Sequence, residues 1–156
     1  MQEPPPVDTL IAEVKTFGAN TEGVLTRPGV DWKSSTREGE WSLTEVACHL
    51  RDVEREVHQP RFKTLIAEDG AFIAGAVADS WVDERHYREQ DGAAALADFV
   101  AARKETLDLL GSIDERLWQR QGQHAFFGPT SMHELLYLMV QHDQAHWEQI
   151  KELLTM

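Results

Sequence analysis

The run Leu135-Leu136-Tyr137-Leu138-Met139-Val140-Gln141-His142-Asp143-Gln144-Ala145-His146-Trp147-Glu148-Gln149-Ile150-Lys151-Glu152-Leu153-Leu154 contains no glycine and no proline. Leu135, Met139, His142, His146, Ile150 and Leu153 recur at three- and four-residue steps, the spacing of one helical face. Upstream, Ser131 and Glu134 have the spacing of a capping box, which starts a helix. The sequence predicts a last helix of about 25 residues, roughly 37 Å long at 1.5 Å per residue. Two imidazoles occupy positions on its core-facing stripe that would otherwise be aliphatic, and buried imidazoles require partners.

Working outward, the same signals recur. After Pro4-Pro5-Pro6, the apolar residues Val7, Leu10, Ile11, Val14, Phe17 and Leu25 predict a first helix over about 7–26, stopped by Arg27-Pro28-Gly29. Ser42 with Glu45 is a second capping box, opening a helix of about 42–68 with the stripe Val46, Leu50, Val53 and Val57. Pro60 removes an interior hydrogen-bond donor and predicts a kink there. A third helix is expected over about 93–111, with Leu96, Phe99, Val100, Leu107 and Leu110 in register, and a short helical turn from Ser112. Asp69 to Asp91 reads as a long, partly helical connection. No period-two alternation or hairpin dipeptide marks a strand. The expected architecture is all-α, a four-helix bundle with a long crossover connection, with residues 1–6 a flexible N-terminal segment and 7–156 a single domain.

Composition narrows the function. The chain has 156 residues, with 15 Lys+Arg against 27 Asp+Glu and a net charge of −12, and it has no basic cluster. That balance argues against nucleic acid and anionic membrane as partners, since both are bound by releasing counterions to clustered Lys and Arg. No apolar run approaches the roughly 20 residues needed to span a bilayer. The N-terminus lacks the basic and apolar regions of a secretory signal. The single cysteine, Cys48, excludes an intramolecular disulfide and suits a reducing compartment, so a cytoplasmic location is expected.

Of seven histidines, only His142 and His146 have helical metal-ligand spacing. Four residues apart, they project from one face where both can reach one ion. Random placement would give roughly 0.3 such pairs in a chain like this, so the spacing gains weight only from its apolar context. His49, on the core edge of the second helix, is the best third ligand. If the second and last helices face each other, three neutral imidazoles would hold a divalent ion with positions left for water. Its undiminished charge would lower the pKa of bound water or thiol toward neutrality. The alternative is that each imidazole is a core residue satisfied by a carbonyl or carboxylate. Asp52, Glu56 and Asp143 are candidates to orient an imidazole, Asp52 foremost. Cys48, although next to His49, points about 100° away on the helix and reads as a small buried hydrophobe. Trp81 and Tyr87 are the aromatics expected to shape a pocket or a contact between copies.

Three segments together resemble the DinB/YfiT-like superfamily: Trp41-Ser42-Leu43-Thr44-Glu45-Val46-Ala47-Cys48-His49-Leu50-Arg51-Asp52-Val53-Glu54, Gly128-Pro129-Thr130-Ser131-Met132-His133-Glu134-Leu135-Leu136, and His142-Asp143-Gln144-Ala145-His146-Trp147-Glu148-Gln149-Ile150. The resemblance spans about residues 7–154. It implies a divalent metal, zinc or nickel, on His49, His142 and His146, a small-molecule substrate and a homodimer. Relatives include thiol-dependent transferases in which the metal activates the sulfur of a low-molecular-weight thiol. The expected function is therefore metal-dependent activation of a thiol or water, as in an S-transferase or hydrolase, against the alternative of a non-catalytic metal-binding or stress-response protein. An anionic thiol would call for a cation near the metal, for which Arg51, Arg55, Arg61 and Arg85 are the candidates.

Overall fold

The computed structural model describes residues 3–156; the first two residues of the expected N-terminal segment lie outside them. Four long helical units make the bundle. Helix α1 spans Val7–Leu25, and the second unit runs as α2 (Leu43–Val53), a π-helical turn (Glu54–His58) and α3 (Gln59–Ala67). After a short α4 (Trp81–Glu84) and a 3-10 turn (Tyr87–Glu89) come α5 (Gly92–Ser112) and α6 (Met132–Leu154). Helix α1 packs on α5 and α6, and α2 packs on α5. Among the described residues, no helix is long and apolar enough to cross a membrane.

The helix starts follow from local chemistry. Ser42 and Ser131 each accept a hydrogen bond from the backbone N–H of the residue three on, while Glu45 and Glu134 accept one back from the cap. Both capping boxes thus satisfy N–H groups that a helix start leaves bare. The kink expected at Pro60 takes the form of a widened turn. The Gln59 N–H donates to the Glu54 carbonyl, five residues back, and Pro60 lies in the first turn of α3, where its missing N–H is tolerated.

One expectation fails. Three short strands pair as a small sheet: β1 (Phe72–Ile73) lies parallel to β2 (Gln121–His124), and β2 lies antiparallel to β3 (Gly128–Ser131). Gln121-Gly122-Gln123-His124 has little β propensity, so its pairing is set by the connection laid beside it. Gly128, at φ 71°, supplies the left-handed residue of the turn. A Cβ on Gly122 would fall 2.6 Å from the Ala71 carbonyl oxygen, so only glycine lets these backbones meet.

The core has two apolar clusters. One gathers Phe17, Val46, Leu50, Phe99 and Ile150, the other Leu10, Val14, Phe62, Leu136 and Met139. Arg103 of α5 touches both: its guanidinium lies near the Phe17 and Phe99 rings and donates to the Val14 carbonyl. It also bonds Glu54 and Asp143 at 2.9–3.0 Å, which makes a buried ionic triad inside the bundle.

Candidate metal centre

Helix α2, fixed at its start by Ser42 and Glu45, brings His49 inward until it is 3% exposed. Helix α6, fixed by Ser131 and Glu134, presents His142 and His146 one turn apart. His142 Nε2 lies 3.2 Å from His49 Nε2 and 3.1 Å from His146 Nε2. One ring nitrogen from each of the three residues can be chosen so that all lie within 4.8 Å of one another. Two nitrogens sharing one tetrahedral zinc at about 2.05 Å sit about 3.3 Å apart, so the donor set fits an ion of that size.

Two of the imidazoles are held neutral. Burial, then the neighbouring His146 and His142, lowers the His49 pKa to about 3. Burial, then His142, lowers that of His146 to about 4. His146 Nδ1 lies 2.8 Å from Gln149 Oε1, an acceptor, so that ring carries its proton on Nδ1 and turns the Nε2 lone pair toward the cluster. Trp41 packs on two of the rings, with centroids 4.9 Å from His49 and 6.3 Å from His146, nearly parallel to the latter. The Nδ1 atoms of His49 and His142 are buried without a hydrogen-bond partner. Three lone-pair donors meeting at close range gain most from a shared cation.

A cavity of about 210 Å³ opens beside the cluster, walled by Val53, Val57, Leu135 and Met139 along with His58, Arg61 and Asp79. His58 packs edge-on against His142, with ring centroids 5.2 Å apart. Burial, then His142, holds its pKa well below the usual histidine value.

The carboxylates expected to orient the imidazoles are engaged elsewhere. Asp52 bonds Arg51, Arg85 and Tyr87, so it does not serve His49 as an acceptor. Burial opposes its ionisation, but the Arg51 and Tyr87 hydrogen bonds overcome that and its pKa falls below the usual range. Glu56 pairs with Arg85 and Asp143 with Arg103. Asp143 Oδ1 is 4.0 Å from His142 Nδ1, too far for a hydrogen bond. Trp81 and Tyr87 do not line the cavity; Trp81 carries the Arg85 guanidinium at 3.9 Å, and Tyr87 is fully buried against Asp52. Cys48 is buried, its Sγ 3.7 Å from Gln90 Oε1, and burial pushes its pKa up. His133 is half-buried, its Nε2 2.6 Å from the Pro5 carbonyl oxygen. His124 is buried beside Phe126 and Phe127.

Several contributors escape a sequence reading. Gln149 sits three residues after His146, a spacing at which helical side chains meet, so its contact was the most accessible of them. Trp41 and His58 reach the cluster only because separate elements converge. Arg103 lies on an α5 stripe that gives no hint of its partners.

Comparisons with known proteins agree with this fold. A structure of YfiT from Bacillus subtilis, described as a "probable metal-dependent hydrolase with an unusual four-helix bundle topology", superposes with a TM-score of 0.82 at 20% sequence identity, covering 98% of this chain and 89% of that one. No curated protein matches the sequence. The family model described as the DinB superfamily matches residues 9–150, nearly the whole bundle with both helices that carry the histidine cluster, and the chain belongs to that superfamily.

Proposed function

We propose that this chain is a metal-dependent hydrolase in which His49, His142 and His146 hold a divalent ion, zinc or nickel, next to a small-substrate cavity. The observation that carries this reading is the convergence of three imidazole nitrogens from two helices at 3.1–3.2 Å spacings beside an open cavity. A divalent ion on three neutral ligands acts as a Lewis acid and brings the pKa of water toward neutrality.

The chain's own residues do the rest. Gln149 and Trp41 fix the ring orientations before any ligand arrives, which lowers the ordering cost at binding. Asp79 is the carboxylate among the residues that line the cavity. A cavity of about 210 Å³ beside the imidazoles leaves room for water and a small substrate next to the ion. The description of YfiT as a metal-dependent hydrolase supports the same direction.

The test is elemental mass spectrometry on protein purified without chelator, for wild type and for His49→Ala, His142→Ala and His146→Ala, each checked for helical circular dichroism. About one ion per wild-type chain, absent from each folded variant, is expected. The loaded protein should then cleave a member of a panel of small esters and amides without added thiol. Turnover only with a thiol present would replace the hydrolase by an S-transferase. A wild type that takes up neither zinc nor nickel would overturn the reading altogether.

A further inference from the structure

The buried and half-buried arginines are nearly all spoken for. Arg51 and Arg85 bond Asp52 and Arg103 is held by Glu54 and Asp143, while Arg55, which is exposed, pairs with Asp98. Arg120 donates to the Leu65 and Ile66 carbonyls near the C-terminal end of α3. Arg61 differs. It is the guanidinium on the wall of the cavity beside the imidazoles, and among the described residues no carboxylate pairs with it. Its one hydrogen bond runs from Nη2 to the Ala74 carbonyl at 3.1 Å, while its Nε–H is buried with no partner. Burial lowers its pKa, and among the described residues Asp79 on the same wall makes no ion pair with it.

A half-buried cation without a counter-ion is costly unless a ligand supplies the charge. The guanidinium fork matches a carboxylate better than any other small group. His58, on the same wall, also keeps a buried Nε2 without a partner. The remaining wall is apolar, from Val53, Val57, Leu135 and Met139. At about 210 Å³ and open to solvent, the space admits a short chain.

We infer that this cavity takes a small substrate bearing one carboxylate, gripped by Arg61, with a short apolar body against Val53, Val57, Leu135 and Met139. As a statement about substrate class it rests on the hydrolase reading; as a statement about binding it does not. The carboxylate would anchor the molecule at the Arg61 end and leave its scissile bond toward the imidazoles.

The test is an NMR titration of the full chain, after dialysis against chelator and again after zinc loading, with hexanoate as probe and hexanamide and hexylammonium as controls. Hexanoate should shift the Leu135 and Met139 methyl signals of the metal-free protein and bind at least about tenfold more tightly than either control. Arg61→Gln should remove that preference, and Arg61→Lys, which keeps the charge but loses the fork, should retain part of it. Equal binding of hexanoate and hexanamide, or binding unchanged by both substitutions, would overturn the inference. So would hexanoate binding that needs zinc and survives Arg61→Gln, since the ion would then be taking the carboxylate. Arg61-dependent binding to a protein that never takes up zinc would uphold the carboxylate pocket while removing the hydrolase.

Discussion

Two buried polar clusters share the bundle interior, and neighbouring residues of α6 belong to one each: Asp143 to the ionic triad and His142 to the imidazole group. In the triad every one of the five N–H donors of Arg103 is used, by Glu54, Asp143 and the Val14 carbonyl. In the imidazole group the ring nitrogens face one another, and the Nδ1 atoms of His49 and His142 have no partner. The first cluster is complete within the chain and serves to position α2, α5 and α6. The second is incomplete within the chain, and its stabilisation waits on something added. Imidazole nitrogens that face one another at 3.1–3.2 Å cannot all act as donors to one another, and a shared cation would take up their lone pairs.

Breaking the triad should have the largest effect. Arg103→Leu strands Glu54 and Asp143 in the core, and a loss of about 3–5 kcal/mol in urea unfolding free energy is expected. A loss under about 1 kcal/mol would mean the triad is not the structural partner in this comparison.

Acid should act on the other cluster next. His49 and His146 have folded pKa values of about 3 and about 4 against 6.5 unfolded, so as pH falls below 6.5 the unfolded chain takes up protons the folded one refuses. Their stabilisation is present above pH 6.5 and is lost progressively down to about 4 for His146 and about 3 for His49. Each imidazole contributes a slope of up to about 1.4 kcal/mol per pH unit in that window. Denaturant titrations of metal-free protein between pH 7.5 and 4.5 check it; a flat profile would show that protons enter the folded cluster freely.

Gln149→Leu sharpens the contrast at a single hydrogen bond. Zinc affinity, measured by competition with a chelating dye, should fall about 10–100-fold while the helical content stays unchanged. An unaltered affinity would remove Gln149 from the site.

The smallest effect is expected for His142→Ala in metal-free protein. Loss of an imidazole whose Nδ1 is unpartnered should change unfolding free energy by within about 1 kcal/mol, although metal uptake is abolished. A destabilisation matching that of Arg103→Leu would make His142 a structural residue.

The sequence determined a good deal. Spaced serine and glutamate at 42/45 and 131/134 fixed two helix starts, and the apolar stripes gave the helical units with ends within a residue or two of those observed. The strands were hidden because Gln121–His124 takes its conformation from a distant partner segment rather than from its own preference. His142 and His146 were legible as a pair because helical periodicity alone places them together. His49 could be matched to them by stripe and by resemblance, but its 3.2 Å approach to His142, 93 residues further along the chain, depends on how the two helices pack. The orienting carboxylates were misjudged for the same reason. Sequence proximity put Asp52 near His49, whereas its oxygens are claimed by its neighbour Arg51 and by Arg85 and Tyr87 of the connection before α5. Local spacing determines which side chains share a helix face, because that needs only the 3.6-residue turn; which polar atoms are left without a partner, as Arg61 Nε and the Nδ1 atoms of His49 and His142 are, depends on every other element packed around them, and that only the tertiary structure decided.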